Sequence, residues 1–385
     1  MRRLLIVSAS TGTGHLRAAQ ALADAARAVD GVHAEQLDLL ELAPAWVRGV
    51  YGAGYEWMAA HTPRAWDGIY RATDAEREDR ARWAPSALRL VFRAFRRLLL
   101  DGQWDACVCT HFLPCQLGAG SPGMPPFALV MTDFTVHRVW AQPRATRIFA
   151  PVESAATELR RRVAGPRVEA SGIPVGAAIA RAPSREVARE RLGIDGRRML
   201  LVTGGGLGIG VEEAVHAALG TLPCDVRVVA VCGRNTQARQ RLMELGVSAA
   251  RLRVEGYVDH MEYWLAAADA VAGKPGGLAT AEALAVGRPL VLTRPIPGAE
   301  EGNLRVVEGE GAALDGSTPE RARAAFRTLF AGDAVRDRLA AAARRIGRPA
   351  AAAEILAAVG STTAAPRPIR YVAVAPSREH AAAAG

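Results

Sequence analysis

The sequence predicts an α/β protein of two domains, each built on a parallel sheet, facing one another across a cleft. Three observations carry this. The chain has 385 residues, long for one core and ample for two domains of about 150 to 200 residues. Residues 3–29 read as a short apolar strand, a polar glycine turn and an alanine-rich helix, and the same order restarts at residue 199. A third unit, GKPGGLATAEALAVGRPLVLTRPIPGAEEGN at residues 273–303, joins a glycine turn, a helix, a buried strand and an acidic loop. In open parallel sheets ligands lie beyond the carboxyl ends of strands, so these turns are where function is expected.

Composition narrows the function classes. Half the residues are hydrophobic and 23% are charged, an ordinary globular balance. No apolar run approaches the roughly 18 residues that cross a bilayer, and the opening apolar stretch is not expected to continue into a signal peptide. Cys107, Cys109, Cys115, Cys224 and Cys232 follow no metal-ligand spacing and read as reduced thiols of a cytoplasmic protein. The net charge is +9. Lys274 is the only lysine, and its compact ammonium stands in a glycine turn, where it would suit a diphosphate. A basic balance points to nucleic acid, an anionic membrane or an anionic substrate. With no zinc-ligand pattern and no aromatic-rich RNA-binding strand, nucleic acid is not expected.

In the first half, STGTGH at residues 10–15 is the turn, and His15 stands where the helix of residues 16–29 begins. The positive end of the helix dipole disfavours imidazolium, so a neutral ring here is a candidate general base. A lone histidine at a helix start also reads as an ordinary polar residue. A strand at 34–42 precedes a helical stretch, 44–103, that gathers Trp46, Tyr51, Tyr55, Trp57, Trp66, Tyr70 and Trp83, although aromatics are 5% of the chain. In a helix over 86–100, Leu88, Val91, Phe92, Phe95, Leu98 and Leu99 share one face and Arg89, Arg93, Arg96 and Arg97 the other. Such a helix either packs on the sheet or lies among anionic lipid headgroups. Strands at 104–110 and 127–131 end at His111 and at Asp133 and His137, which places these residues with His15 on one rim. A strand at 147–151 is read as the last of this half.

In the second half, a strand at 199–203 runs into GGGLGIG, with Gly204, Gly205 and Gly206 as a phosphate-type turn. No acidic residue closes the strand at 226–231, which continues to Arg234 and Asn235; this argues against NAD. The strand at 254–258 offers the backbone of Tyr257 and Val258 to a pyrimidine edge. At the central unit, Lys274, Gly276, Gly277 and Leu278 form a helix start where a diphosphate is attracted by free N–H groups. Glu282, about one and a half turns on, points past it toward a ribose. Glu300, Glu301 and Asn303 offer groups for sugar hydroxyls. No Asp-x-Asp occurs, so no metal and no cofactor are expected.

Three of these strings, the 273–303 stretch, STGTGH with its alanine-rich helix, and TDFTVHRVW at 132–140, resemble the monogalactosyldiacylglycerol synthase and processive diacylglycerol glycosyltransferase family. The opening is also similar to the murein enzyme that adds N-acetylglucosamine to a lipid-linked acceptor. The resemblance covers roughly residues 4–315 and is weakest in the aromatic insert. It implies the GT-B fold, UDP-glucose or UDP-galactose as donor, diacylglycerol as acceptor, and an inverting transfer. It further implies His15 as the base with Asp133 beside it, His111 and His137 on the acceptor side, and Gly14 with the glycine turns on the donor. Where the family has Gln before the two glutamates this chain has Ala299, which leaves the sugar open. Two alternatives remain: a related transferase acting on a polyprenyl-linked acceptor, and a UDP-sugar-binding protein without turnover. The expected organisation is 1–176 for the first domain with an insert at 44–103, a linker at 177–184, a second domain at 185–360 and a tail at 361–385. The expected location is the cytoplasm, at the inner face of the cell membrane.

Overall fold

A computed structural model describes residues 1–10, 12–49, 62–75 and 86–361. It contains two six-stranded sheets, every pairing parallel. The first holds β1 (Arg2–Ser8), β2 (Val32–Asp38), β3 (Ala106–Cys109), β4 (Phe127–Val130), β5 (Arg147–Ala150) and β6 (Arg167–Ala170), in the order β2-β1-β3-β4-β5-β6. The second holds β7 (Arg198–Thr203), β8 (Val226–Val231), β9 (Leu252–Glu255), β10 (Ala270–Gly273), β11 (Leu290–Thr293) and β12 (Ala313–Gly316), in the order β12-β11-β10-β7-β8-β9. The two-domain α/β expectation holds.

Central strands such as ACVC in β3, FALV in β4 and LVLT in β11 are buried throughout. Continuous apolar runs of this kind are what a parallel sheet covered on both faces requires. Edge strands are written differently. The expected last strand at 147–151 is followed by a further one, β6, whose RVEA mixes charge with apolar residues and escapes a search for buried runs. The strand expected at 34–42 ends at Asp38, whose Oδ1 accepts from the N–H groups of Leu40 and Ser10, each at 3.1 Å, and the chain turns into a short 3₁₀ helix, Leu39–Leu42.

From β1 the chain goes to β2 on one side and then to β3 on the other; from β7 it goes to β8 and β9 and then to β10. Each sheet therefore reverses direction once, opening a crevice between β1 and β3 and another between β7 and β10.

The expected helix over 86–100 is two helices, Ser86–Val91 and Arg93–Asp101, broken at Phe92. Phe92, Phe95 and Leu99 are buried and Leu88, Val91 and Leu98 pack against the same core, while the four arginines stay exposed. Packing on the core thus takes that apolar face. Tyr51, Tyr55, Trp57 and Trp83 lie outside the described residues, as does the side chain of Trp66. No helix among the described residues is long and apolar enough to cross a membrane.

One boundary changes. Helix Asp333–Ile346 packs on helix Gly277–Ala285, the chain crosses at Arg348 beside Gly172, and helix Ala351–Gly360 enters the first domain. There Ala352, Ile355, Leu356 and Val359 are buried with Leu4, Ile6, Ala19 and Leu22. The stretch read as the end of the second domain therefore closes the core of the first. The AAAEILAAVG helix is too apolar to stand in water, and the alanine face of helix Thr13–Arg27 receives it. Burying each Ile, Leu or Val there contributes about 1.5–3 kcal/mol.

Candidate active site

At the β1/β3 crevice, His15 falls in the first turn of helix Thr13–Arg27. Its Nδ1 lies 2.8 Å from the Thr110 carbonyl oxygen and 2.7 Å from Thr132 Oγ1. A carbonyl only accepts, so Nδ1 carries the proton and Nε2 keeps its lone pair. Thr110 Oγ1 donates back to the His15 carbonyl at 2.9 Å, fixing the helix start to β3. Burial lowers the pKa of His15, opposed by the charge of Asp133 and by the bond to Thr110. The ring is a neutral proton acceptor held by its other nitrogen. Sequence reasoning did not assign Thr110 or Thr132 a role: the first follows a core strand with no motif of its own, and the second opens the 132–140 string, in which only Asp133 and His137 were singled out.

His111 meets His15 edge to face, ring centroids 4.9 Å apart. It is buried, its Nδ1 accepts from Leu113 N–H at 3.1 Å, and burial together with His15 holds its pKa well below the usual value. His137, expected on the rim, is an anchor instead. It is buried; its Nδ1 accepts from Val139 N–H at 3.2 Å and its Nε2 lies 3.0 Å from the Tyr70 carbonyl. Those bonds tie helix Pro63–Ala75 to the first domain.

At the β7/β10 crevice the lining is mostly backbone. Gly204 packs against residues 208 and 209, and Gly208 and Gly233 hold the loop after β7 against the loop after β8 so closely that a Cβ on either would strike a carbonyl oxygen. Gly205 and Gly206 face open space. Arg234 N–H donates to the Gly206 carbonyl at 2.9 Å, and its guanidinium lies 5.3 Å from the ring centre of the exposed Tyr257. Asn235 is a helix cap, its Oδ1 accepting from Ala238 N–H at 2.9 Å, and Val258 packs on the core.

The central unit departs from its expected form in three places. The acidic loop is the first turn of helix Ala299–Gly309. Lys274 pairs with Glu300, whose other oxygen accepts from Ile296 N–H at 3.0 Å, while Glu301 is only partly buried. Asn303, expected to face sugar hydroxyls, is fully buried and spends its amide across the domains. Its Oδ1 accepts from Phe134 and Thr135 N–H at 2.7 and 3.0 Å, and its Nδ2 donates to Asp133 Oδ1 at 3.2 Å and the Pro275 carbonyl at 3.0 Å.

These contacts bring the crevices together. A Cβ on Gly277 would lie 1.8 Å from the Thr132 carbonyl oxygen, and one on Gly14 would lie 3.7 Å from Leu278 Cβ. Glycine at 277 is thus required by the approach of the two domains. One turn beyond, buried Glu282 receives Arg17 Nη2 at 2.5 Å, two residues past His15. Burial raises the pKa of Glu282, with Arg17 opposing. The sequence had no signal for Arg17, since its partner is 265 residues away.

Two parallel α/β domains with facing switch-point crevices define the GT-B architecture. Solved structures share it: Acinetobacter baumannii MurG (TM-score 0.62, 17% identity, 94% of this chain and 100% of that one) and Anabaena Alr3699/HepE in complex with UDP (0.56, 16%, 94% and 100%). Within that class, the model of monogalactosyldiacylglycerol (MGDG) synthase matches residues 15–175. The processive diacylglycerol beta-glucosyltransferase of Bacillus pumilus (strain SAFR-032) is 30% identical over 190 residues, 48% of this chain and 49% of that one. The chloroplastic monogalactosyldiacylglycerol synthase of Spinacia oleracea is 28% identical over 330 residues, 80% of this chain and 62% of that one. The chain is similar in sequence to these proteins, and the match spans about half the length of the Bacillus ones.

Proposed function

We propose that the protein transfers glucose or galactose from its UDP-sugar to the hydroxyl of 1,2-diacylglycerol, with inversion at the anomeric carbon, making a membrane glycolipid. The observation that carries this reading is that helix Thr13–Arg27 bears both the oriented, neutral His15 and Arg17, which pairs with Glu282 across the facing crevices. Relatives named for diacylglycerol as acceptor support it.

In the proposed step, His15 Nε2 takes the acceptor's hydroxyl proton as that oxygen bonds to the anomeric carbon. The bond from that carbon to the diphosphate breaks, and UDP leaves with the electron pair. Asp133 steadies the imidazolium that forms. Glu282 accepts from the ribose, and the backbone at 204–206 and at 276 faces the diphosphate together with Lys274 and Arg234. Lys274 would exchange Glu300 for a phosphate oxygen, freeing Glu300 to join Glu301 on the sugar. Preorganised donors of this kind act where charge develops on the leaving group. No metal has a part in the step. The exposed arginines 89, 93, 96 and 97, with exposed Leu90 and Leu100 beside them, offer a surface to anionic lipid at the cytoplasmic face of a membrane.

The test is incubation of the full chain with labelled UDP-glucose or UDP-galactose and vesicles carrying diacylglycerol, with and without EDTA, beside vesicles carrying a polyprenyl lipid in its place. Labelled glycolipid in both arms is expected. Product from a polyprenyl lipid alone, or UDP binding without product, would overturn the acceptor or the chemistry, and loss in EDTA restored by magnesium would overturn metal independence.

A further inference from the structure

By sequence the ribose contact belongs to the second domain alone, yet Glu282 finds its charge partner in the first. Its side chain is 6% exposed, against 57% for Arg17. Among the described residues, Arg17 Nη2 on Oε1 is the one side-chain bond to that carboxylate. A buried carboxylate without an opposite charge is expensive, and losing one member of such a pair commonly costs more than the pair gains. The register of the two helices makes the meeting reproducible: Leu278 and Glu282, four residues apart, share the face that packs at Gly14 and Arg17.

We propose that Arg17 is a positioning residue for nucleoside recognition, completing a two-domain ribose subsite by holding Glu282 through Oε1 and leaving Oε2 to accept from vicinal hydroxyls. This rests on the donor reading above and adds that a side chain of the first domain takes part in holding the ribose. Arginine suits the task because its charge is permanent, and here a single nitrogen, Nη2, meets a single carboxylate oxygen, Oε1.

Charged or titratable groups lie on several elements packed against or leading into helix Gly277–Ala285. Helix Thr13–Arg27 brings His15 and Arg17, the loop against Gly277 brings Asp133, the turn before helix Gly277–Ala285 brings Lys274, and helix Asp333–Ile346 brings Arg344. Helix Ala177–Ala180 brings none. Of these, Arg17 is the charge that acts on Glu282. Without it the pKa of the carboxyl, already raised by burial, would rise further.

The experiment is calorimetric titration of the full chain with uridine and with 2',3'-dideoxyuridine, near pH 6 and near pH 8. Wild type should prefer uridine by about 10-fold to 100-fold at both pH values, the worth of hydrogen bonds to a charged group. Arg17→Met should lose most of that preference, and lose more of it at the lower pH than at the higher, because the neutral carboxyl is the weaker acceptor. Arg17→Lys should restore it partly, and Glu282→Gln combined with Arg17→Met should abolish the pH dependence. If Arg17→Met folds poorly, Arg17→Lys and Glu282→Gln alone carry the test, each with a reduced preference. An unchanged preference in the Arg17 variants, or pH dependence that survives the double substitution, overturns the subsite while leaving the donor reading intact. Failure of wild type to bind uridine overturns both.

Discussion

At the carboxyl ends of β1, β3 and β4 the chain gathers His15, Thr110, His111 and Thr132, the two imidazoles packed ring to ring and the threonines meeting Nδ1 of His15. At the ends of β7 and β10 it gathers glycine backbone, with two carboxylates each matched to a cation. Both crevices arise from the same reversal in strand order. The topology therefore makes the opening, and the residues after each strand decide its use. Imidazole desolvated among rings suits proton removal, whereas exposed backbone at glycine suits an anionic ligand that must come close.

The largest way to break this comparison is to remove the base. His15→Gln should lower turnover by about 100-fold to 10,000-fold, read as initial rate at saturating donor; a loss below tenfold would take His15 out of the chemistry. Next in size is the tie between the crevices. Asn303→Ala leaves two backbone N–H groups and the Pro275 carbonyl without their partner, each worth about 1–3 kcal/mol if left unsatisfied. Its thermal midpoint should fall by several degrees, and an unchanged melt would show that Asn303 does not hold the domains. The smallest effect is on pH. Because burial lowers the pKa of His15, the base stays neutral to a lower pH than an ordinary histidine, so the acid limb of kcat/KM should fall below about 6.5. Asp133→Asn removes a charge that raises that pKa, so the limb should move lower still. A shift upward would contradict the assignment.

What the sequence disclosed was local. An apolar run, a glycine turn and a periodic helix occupy adjacent residues, so both sheets, both turns, His15 and Glu282 could be read from the string. Features made by residues far apart could not. Arg17 pairs with Glu282 and Asn303 reaches residues 133–135 only after both domains have folded. The return of helix Ala351–Gly360 to the first domain depends on an alanine wall at the other end of the chain. β6 was missed because an edge strand need not be apolar, and the bond from His137 to the Tyr70 carbonyl was not legible because its partner helix lies 67 residues away in the insert.

The central claim, that one crevice does the chemistry while the other grips the nucleotide, is tested most directly by measuring UDP affinity and saturated turnover in His15→Gln and Glu282→Ala. A crossed result is predicted: the first binds UDP like wild type and scarcely turns over, and the second loses about 10-fold to 100-fold in affinity while keeping most of its saturated rate. Equal losses of binding and turnover in both variants would contradict the division.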